Sequence, residues 1–195
     1  AAALLLGAAG VPQLHLGAVA NATLALVVLV ALMNAVNFLD NMNGVVAGLS
    51  AIALAGFAWG SAARGEAGLA GGQLALAGGC AGFLRYNFPH ARIFLGDAGS
   101  LLLGYSLGAS ALLAFAGGPR GWGQLGPVLA LGYPAFDMIF VVVTRLRDGR
   151  KVSQGGTDHS NHRLARVLRC PTRTVLLLWL AGAVLSASGL VVQRL

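Results

Sequence analysis

Charged residues are scarce in this chain, and their scarcity excludes an ordinary soluble domain. They make up 10% of the 195 residues, against 57% apolar residues, whereas a soluble domain carries about 25% charged residues. Cysteine is scarce too. Cys80 and Cys170 lack metal-ligand spacing, which excludes a disulfide framework and a zinc site. Short segments of alternating polarity are missing, which excludes an outer-membrane barrel.

Long apolar runs are what the sequence contains instead. Mean hydropathy is +0.77, and runs of about 20 residues, the length that crosses a bilayer, recur along the chain. The pattern predicts an all-α polytopic membrane bundle, one domain over 1–195, with about six transmembrane helices after an N-terminal remnant at 1–10. The predicted spans are 16–38, 44–63, 68–85, 99–116, 124–144 and 174–193. Interfacial or lipid-facing anchors are predicted at Trp59, Trp122 and Trp179.

The first residues are Ala-Ala-Ala-Leu-Leu-Leu, with no Met and no basic segment ahead of them. This start does not match a signal peptide, and it is typical of the end of an earlier helix. We therefore expect the sequence to be the C-terminal part of a longer chain.

Basic residues are distributed unevenly between the two ends of the predicted spans. Three of them, Arg64, Arg120 and Arg194, fall at one end. The other end, which contains Asp40, receives Arg85, Arg92, Arg145, Arg147, Arg150, Lys151, Arg163, Arg166, Arg169 and Arg173. The positive-inside rule makes this basic end cytoplasmic. Topology thus explains the net charge of +7, and we expect no nucleic-acid partner.

Acidic residues gather at the same basic end. Only Glu66 falls at the opposite end, and Asp137 lies inside a span. The basic end also holds Asp40, Asp97, Asp148, Asp158, His90, His159 and His162. A carboxylate beside a hydrocarbon layer costs a few kcal/mol and needs a metal, a partner or a polar cavity. This distribution therefore predicts a polar site at one membrane face.

Two polar blocks border the first half of this site. The first is Asn34-Ala-Val-Asn37-Phe-Leu-Asp40-Asn-Met-Asn43-Gly44, in which amides and a carboxylate share a helix face. It suits a polar ligand, or hydrogen bonds between helices ended by a capping turn. The second runs from Asn87 to Ser100 and contains Asp97. One carboxylate together with substrate phosphates is the usual protein site for Mg²⁺, and a helix cap is the alternative.

Two further blocks lie later in the chain. The third places Asp137 inside a span, which predicts a ligand contact or a tie to Arg145 on the same helix. The fourth, at 155–164, combines His159 and His162 with Asp158 and Arg163, within a predicted basic cytoplasmic loop at 145–173. Arginine forks onto phosphate and histidine transfers protons, so this block suits a diphosphate. Anionic lipid headgroups are the alternative ligand.

In this order the four blocks resemble the bacterial polyprenyl-phosphate N-acetylhexosamine-1-phosphate transferases, glycosyltransferase family 4. That family includes phospho-MurNAc-pentapeptide transferase and the undecaprenyl-phosphate GlcNAc-1-phosphate transferases. The matching pieces are Asn34-x-x-Asn37-x-x-Asp40-x-x-x-Gly44, Phe94-x-Gly96-Asp97-x-Gly99-Ser100, the Pro134/Asp137/Arg145 helix and the histidine loop.

The resemblance implies a multi-pass protein of the bacterial cytoplasmic membrane whose active site faces the cytoplasm. Such enzymes use Mg²⁺, with Mn²⁺ as a substitute, to transfer a sugar 1-phosphate from a UDP-sugar to a polyprenyl phosphate, which releases UMP. GlcNAc 1-phosphate is the group expected here, in the first membrane step of cell-envelope polysaccharide synthesis. A homodimer is compatible with the resemblance.

The resemblance also implies roles for individual residues. Asp97 is the expected metal ligand. The expected catalytic residues are Asp40, Asp97, His159 and His162. The expected substrate-binding residues are Asn34, Asn37, Asn43, Asn87, Phe94, Asp137, Asp158 and Arg163.

Three departures from the family pattern shape the expectation. An aspartate pair that the family carries on an earlier loop is absent, so this fragment alone is expected to be inactive. Asn43 replaces an aspartate of many members. The loop lacks a dense His-x-His-His run, and this difference favours the GlcNAc branch over the muramoyl branch. The competing interpretations are a non-catalytic homologue, a transporter with intramembrane acids, and a CDP-alcohol phosphotransferase, which needs closely spaced aspartates that this chain lacks.

Overall fold

A computed structural model describes residues 17–119, 121–151, 156 and 158–194. The predicted remnant at 1–10, Arg120, Gly155 and Thr157 lie outside the described residues. Within those ranges the chain forms helices and no strand. The helices are α1 (Ala18–Leu39), α2 (Val45–Ala63), α3 (Ala67–Asn87), α4 (Gly96–Gly117), a 3₁₀ turn (Gly121–Gln124), α5 (Leu125–Ala130), α6 (Gly132–Arg147), α7 (Ser160–Leu168) and α8 (Pro171–Val192).

Five of these described helices, α1 to α4 and α8, are long and apolar enough to cross a membrane. A sixth crossing results if α5 and α6 together form one bent span. The all-α polytopic bundle is therefore confirmed. The predicted ends of these five spans lie within three residues of the observed helix ends, because the apolar runs stop where polar and turn-forming residues begin.

The predicted span 124–144 is not one straight helix. Between α5 and α6 the chain bends by 71°. Pro134, in the first turn of α6, explains the break, because it has no N–H to offer the carbonyl of Ala130 and its ring crowds the preceding turn. Tyr133, at the start of α6, and Leu39, at the end of α1, line the same small cavity.

Helix α2 forms the centre of the bundle. In its most apolar window 61% of residues are buried, whereas the corresponding windows of α1, α3 and α8 are 22–28% buried. Val45, Leu54 and Phe57 are among its buried side chains. The outer helices expose large apolar side chains such as Leu180 and Val191. An exterior this apolar fits a hydrocarbon environment.

Helices α1 and α4 cross in direct backbone contact. A Cβ atom at Gly104 would lie 2.6 Å from the Cα atom of Met33, so only glycine permits this approach. Helix α1 ends, and helix α4 begins, at the same polar end of the bundle. The crossing therefore brings Asn37 close to Asp97.

The two ends of the bundle differ in polar content. At one end Arg64 forms an ion pair with Glu66 at 2.8 Å, next to the end of α4 at Gly117. The opposite end carries the turn 40–44, the segment 88–95 and α7. The candidate site lies at this second end.

Candidate active site

The side chain of Asn37 joins the first polar block to the second. Its Nδ2 atom donates to Asp97 Oδ1 at 3.0 Å and to Ser100 Oγ at 2.9 Å. Asp97 lies exposed in the first turn of α4, and the residue that precedes this helix is Leu95, with no side-chain cap. The alternative in which Asp97 simply caps the helix is therefore not observed.

A second carboxylate, Asp40, follows Asn37 by three residues and is close enough to Asp97 to feel its charge. Asp40 follows the last residue of α1 and is exposed on one side. Partial burial on its other side, and then the negative charge of Asp97, raise the pKa of Asp40. The two carboxylates therefore act on the same small region of the surface.

The described residues contain no group of three or more His, Cys, Asp or Glu side chains that could hold a metal ion. An all-protein metal cage is thus not formed by this part of the chain. Two neighbouring carboxylates nevertheless fit Mg²⁺, which prefers oxygen ligands and is commonly held by one or two carboxylates plus substrate phosphates.

Asn87 and Trp179 hold the turn that follows α1. Asn87, which is buried, accepts the Gly44 N–H through Oδ1 at 2.7 Å and donates to the carbonyl of Ile93 at 2.9 Å. Trp179 Nε1 donates to the Gly44 carbonyl at 3.0 Å. Gly44 has a φ of +81°, and a Cβ atom there would lie 2.6 Å from the Phe88 ring. Only glycine meets both conditions.

The three tryptophans predicted as anchors differ in exposure, and the anchor role of the two exposed ones stays a prediction. Trp59 and Trp122 are 61% and 76% exposed. Trp179 instead packs on Phe88, with ring centroids 4.9 Å apart. Its hydrogen-bond partner Gly44 is 135 residues away in sequence, so the local pattern around Trp179 contains no signal of this role.

Three other predicted substrate-binding residues differ in their hydrogen bonds and in their exposure. Asn43 Nδ2 is 3.3 Å from the Pro89 carbonyl, to which it donates. Asn34 is exposed and donates to Val30 within α1 at 2.8 Å. Phe94 is 77% exposed. Their roles toward substrate stay predictions.

Asp137 connects α6 to the start of the histidine block. It is 1% exposed, and its Oδ2 atom lies 2.7 Å from Nδ1 of His159. Its Oδ1 atom accepts from the Ser160 N–H at 2.8 Å and from Ser160 Oγ at 2.6 Å, and Tyr133 Oη is 3.0 Å from that hydroxyl. Ser160 is the first residue of α7, so this carboxylate lies at a helix N-terminus, where negative charge is favoured.

Asp158 forms a second buried connection between α6 and the histidine block. Arg145 Nε donates to its Oδ2 atom at 2.7 Å, and Arg150 donates to the same oxygen at 3.0 Å. The hydrogen bond from Arg145 lowers the pKa of Asp158 to about 2. Asp137 and Arg145 thus each find a partner at 158–160, in place of the tie between them that the sequence suggested.

Asn161 attaches α7 to the turn after α1. It is completely buried, and its Nδ2 atom donates to Asn41 Oδ1 at 2.7 Å. Its own Oδ1 accepts the His162 N–H at 2.7 Å. Neither Asn41 nor Asn161 was predicted as a site residue, although both lie inside the polar blocks. Their position within those blocks was the available signal.

The two predicted histidines lie edge to face, with ring centroids 6.4 Å apart. Burial, followed by the proximity of His159, lowers the pKa of His162. Arg163 is exposed, and its guanidinium lies 4.8 Å from the centroid of the Phe140 ring, a cation–π distance.

The structure therefore gathers all four blocks at one end of the bundle. Three contacts converge on the end of α1 and the turn after it, namely Asn37 with Asp97, Gly44 with Asn87, and Asn41 with Asn161. Asp137 joins them through His159. Among the described residues, no hydrogen bond connects Asp97 directly to either histidine.

Comparison with known proteins identifies a family. The family model described as glycosyl transferase family 4 matches residues 2–115. The probable undecaprenyl-phosphate N-acetylglucosaminyl 1-phosphate transferase of Bacillus subtilis is 33% identical over 165 residues, which are 85% of this chain and 46% of that protein. The decaprenyl-phosphate N-acetylglucosaminephosphotransferase of Mycolicibacterium smegmatis is 35% identical over 193 residues, covering 88% and 47%.

A third relative carries a different sugar in its name. The phospho-N-acetylmuramoyl-pentapeptide-transferase of Desulforudis audaxviator is 34% identical over 166 residues, covering 84% of this chain and 47% of that protein. The chain spans about half the length of the curated relatives it matches.

Proposed function

The chain belongs to glycosyl transferase family 4, and from that premise we propose that the protein transfers a sugar 1-phosphate from a UDP-sugar to a polyprenyl phosphate, releasing UMP. N-acetylglucosamine 1-phosphate is the group proposed first, because the names of the Bacillus and Mycolicibacterium relatives carry it. The Desulforudis relative, at similar identity, makes the muramoyl-pentapeptide donor the second to test.

The hydrogen bond from Asn37 to Asp97 is the observation that carries this proposal. It joins the end of α1 to the start of α4 and so puts two carboxylates, Asp40 and Asp97, beside one amide-rich turn. The histidine block docks on the same turn through Asn161. Phosphoryl transfer depends mainly on positioning and on neutralising charge, and this end of the bundle concentrates side chains that do both.

Asp97 and Asp40 are the residues that would hold Mg²⁺, or Mn²⁺ in its place. When bound, the ion neutralises negative charge on the diphosphate. The chain's own contribution is to hold the carboxylate of Asp97 in place, since Asn37 donates to one of its oxygens. Within the described residues, the other oxygen of Asp97 has no hydrogen-bond donor.

An apolar groove supports the lipid half of the proposal. It has a volume of about 410 Å³ and lies between α1, α4, α5 and α6. Its walls include Leu24, Val28, Leu112, Phe115 and Val128. Lipid tails are as apolar as these walls, so van der Waals packing and shape, not transfer from water, would hold a chain there. We assign part of the polyprenyl chain to it.

The proposal also includes the orientation. The candidate site lies at the end of the bundle to which ten of the thirteen Lys and Arg residues were assigned from the sequence. By the positive-inside rule that end faces the cytoplasm of a bacterial inner membrane.

The test is UMP release by the complete protein from UDP-GlcNAc, with undecaprenyl phosphate and Mg²⁺. We expect Asp97→Asn to lower the rate by on the order of 100-fold, as removal of an electrostatic group from an active site does. Glu66→Gln is the matched control, because it removes a carboxylate at the opposite end of the bundle, and its rate should equal that of wild type.

The contrary outcomes separate the alternatives. Equal rates for wild type and Asp97→Asn would remove Asp97 from the metal site. Absence of turnover with both sugar donors would favour a non-catalytic homologue. Ion or proton flux through proteoliposomes without turnover would favour the transporter.

A further inference from the structure

Both carboxylate oxygens of Asp137 are already engaged by other residues of the protein. Its Oδ1 atom accepts two hydrogen bonds from Ser160, and its Oδ2 atom is 2.7 Å from His159 Nδ1. Its side chain is almost completely enclosed. A carboxylate in this position acts on its neighbours, and the neighbour with chemistry to offer is His159.

The contact with Asp137 determines which nitrogen of His159 carries a proton. A carboxylate is only an acceptor, so Nδ1 must be the donor. In the neutral ring Nε2 is then the basic nitrogen, and in the imidazolium it is a second donor. Within the described residues Nε2 has no hydrogen-bond partner, and it is not among the enclosed polar atoms that lack one. Nε2 therefore keeps a small exposed area, although His159 as a whole is only 5% exposed.

We propose that Asp137 is a positioning residue, which fixes His159 in the Nδ1–H tautomer and leaves Nε2 as the only ring nitrogen that exchanges a proton at the candidate site. This rests on the proposed function only for the consequence in catalysis. The bonding pattern is the general one in which a carboxylate orients an imidazole that does acid–base chemistry.

An asparagine at this position gives a sharp test, because Ser160 dictates how its amide would sit. The backbone N–H of Ser160 is a fixed donor and requires an oxygen opposite it. The amide oxygen of Asp137→Asn must take that place, so the amide NH₂ faces His159 Nδ1 and donates to it. The variant should therefore hold the neutral ring in the opposite, Nε2–H, tautomer.

The first measurement is ¹⁵N NMR of the complete protein with ring-labelled histidine, at a pH where His159 is neutral, with His159→Gln to assign the signal. We expect Nδ1–H in wild type and Nε2–H in Asp137→Asn. Ser160→Ala is the control, since it removes one hydrogen bond from the same carboxylate and keeps the charge that faces His159. It should retain the wild-type tautomer.

The second measurement is the rate of sugar-phosphate transfer. Asp137→Asn should lower kcat by on the order of 100-fold, the usual contribution of a positioned acid or base, with KM for the UDP-sugar unchanged. A rise in KM that parallels the fall in kcat would mean that Asp137 only caps α7, and it would overturn the proposal. An equal loss of kcat in Ser160→Ala would do the same.

The two measurements test separate parts of the proposal. An Nε2–H ring in the wild-type protein overturns the proposal, and this result does not require any variant to fold. An inverted tautomer with unchanged kcat overturns the catalytic consequence. If the wild-type protein has the Nδ1–H ring but transfers no sugar phosphate, the proposed function fails and the positioning of His159 stands.

Discussion

Asn161 on α7 donates a hydrogen bond of 2.7 Å to Asn41, which lies 120 residues earlier in the chain. Asn161 is completely buried, and the same side chain accepts the N–H of His162. One amide thus fixes the histidine block against the turn that follows α1. The contact links the segment that carries both histidines to the turn that begins at Asp40.

Replacing Asn161 by alanine should therefore destabilise the protein. The change removes the donor to Asn41 and leaves the His162 N–H without its acceptor, which costs about 1–3 kcal/mol. Denaturant unfolding in detergent measures the loss. Thr23→Ala, which removes only an exposed hydrogen bond within α1, should change stability by less than about 0.5 kcal/mol. Equal effects of the two would show that the Asn41–Asn161 contact is dispensable.

Asp158 should make stability sensitive to strong acid. Its pKa falls from 3.8 to about 2 in the folded protein, chiefly through Arg145. A depressed pKa means that its stabilisation is fully present above pH 3.8 and is lost as pH falls through 2. The difference in unfolding free energy between wild type and Asp158→Asn should shrink over that window.

At neutral pH Asp158→Asn should cost about 3 kcal/mol, the low end for breaking a buried ion pair, since it removes the carboxylate that binds Arg145. Asp148→Asn is the control, because Asp148 is exposed and lies 3.5 Å from Arg150. It should change neither the stability nor its pH profile. A profile for Asp158→Asn that parallels wild type down to pH 2 would contradict the assignment.

Gly44→Ala should damage the site more than a matched glycine change elsewhere. Gly65 has nearly the same φ, +80° against +81°, but a Cβ atom there meets nothing within 4 Å. Gly65→Ala should therefore cost only about 1–2 kcal/mol for the left-handed backbone. Gly44→Ala adds a clash with Phe88, for a further loss of about 1–3 kcal/mol, and it should also lower the transfer rate. Equal unfolding midpoints would show that the turn has room to yield.

Filling the apolar groove should discriminate between long and short lipid acceptors. Ala31 lines the groove, so Ala31→Trp should exclude part of the chain. The lost packing should raise KM for undecaprenyl phosphate by roughly tenfold, or about 1.4 kcal/mol. KM for a short prenyl phosphate should not change. Leu26→Trp, on an exposed position of the same helix, should affect neither acceptor. Equal increases for both acceptors would place the lipid elsewhere.

The helices could be predicted from sequence because each apolar run is a local feature. The bend between α5 and α6 was missed although Pro134 was visible, since the apolar run continues across it and length alone favours one span. Helix ends elsewhere agreed with the predicted positions, as polar turns follow the apolar runs directly.

Contacts within the site were harder to predict, because a sequence pattern shows spacing along one element and not the partner from another. Asp137 and Arg145 lie eight residues apart on α6, about 12 Å along the helix axis, so neither could satisfy the other closely. Each instead pairs with the segment that precedes α7. The polar blocks were predicted as units, while the partners that join them, Asn41 with Asn161 and Gly44 with Trp179, required the folded chain.

The contact of Gly104 with the backbone of Met33 makes the crossing of α1 and α4 a pivot for the site. Asp97 lies seven residues from Gly104, a lever arm of about 10 Å, so a change of roughly 10° in the crossing angle would move it by about 2 Å. That displacement exceeds what the Asn37–Asp97 hydrogen bond tolerates. The missing side chain of Gly104, which lies among apolar helices, thereby limits how far the residues of the polar end can shift.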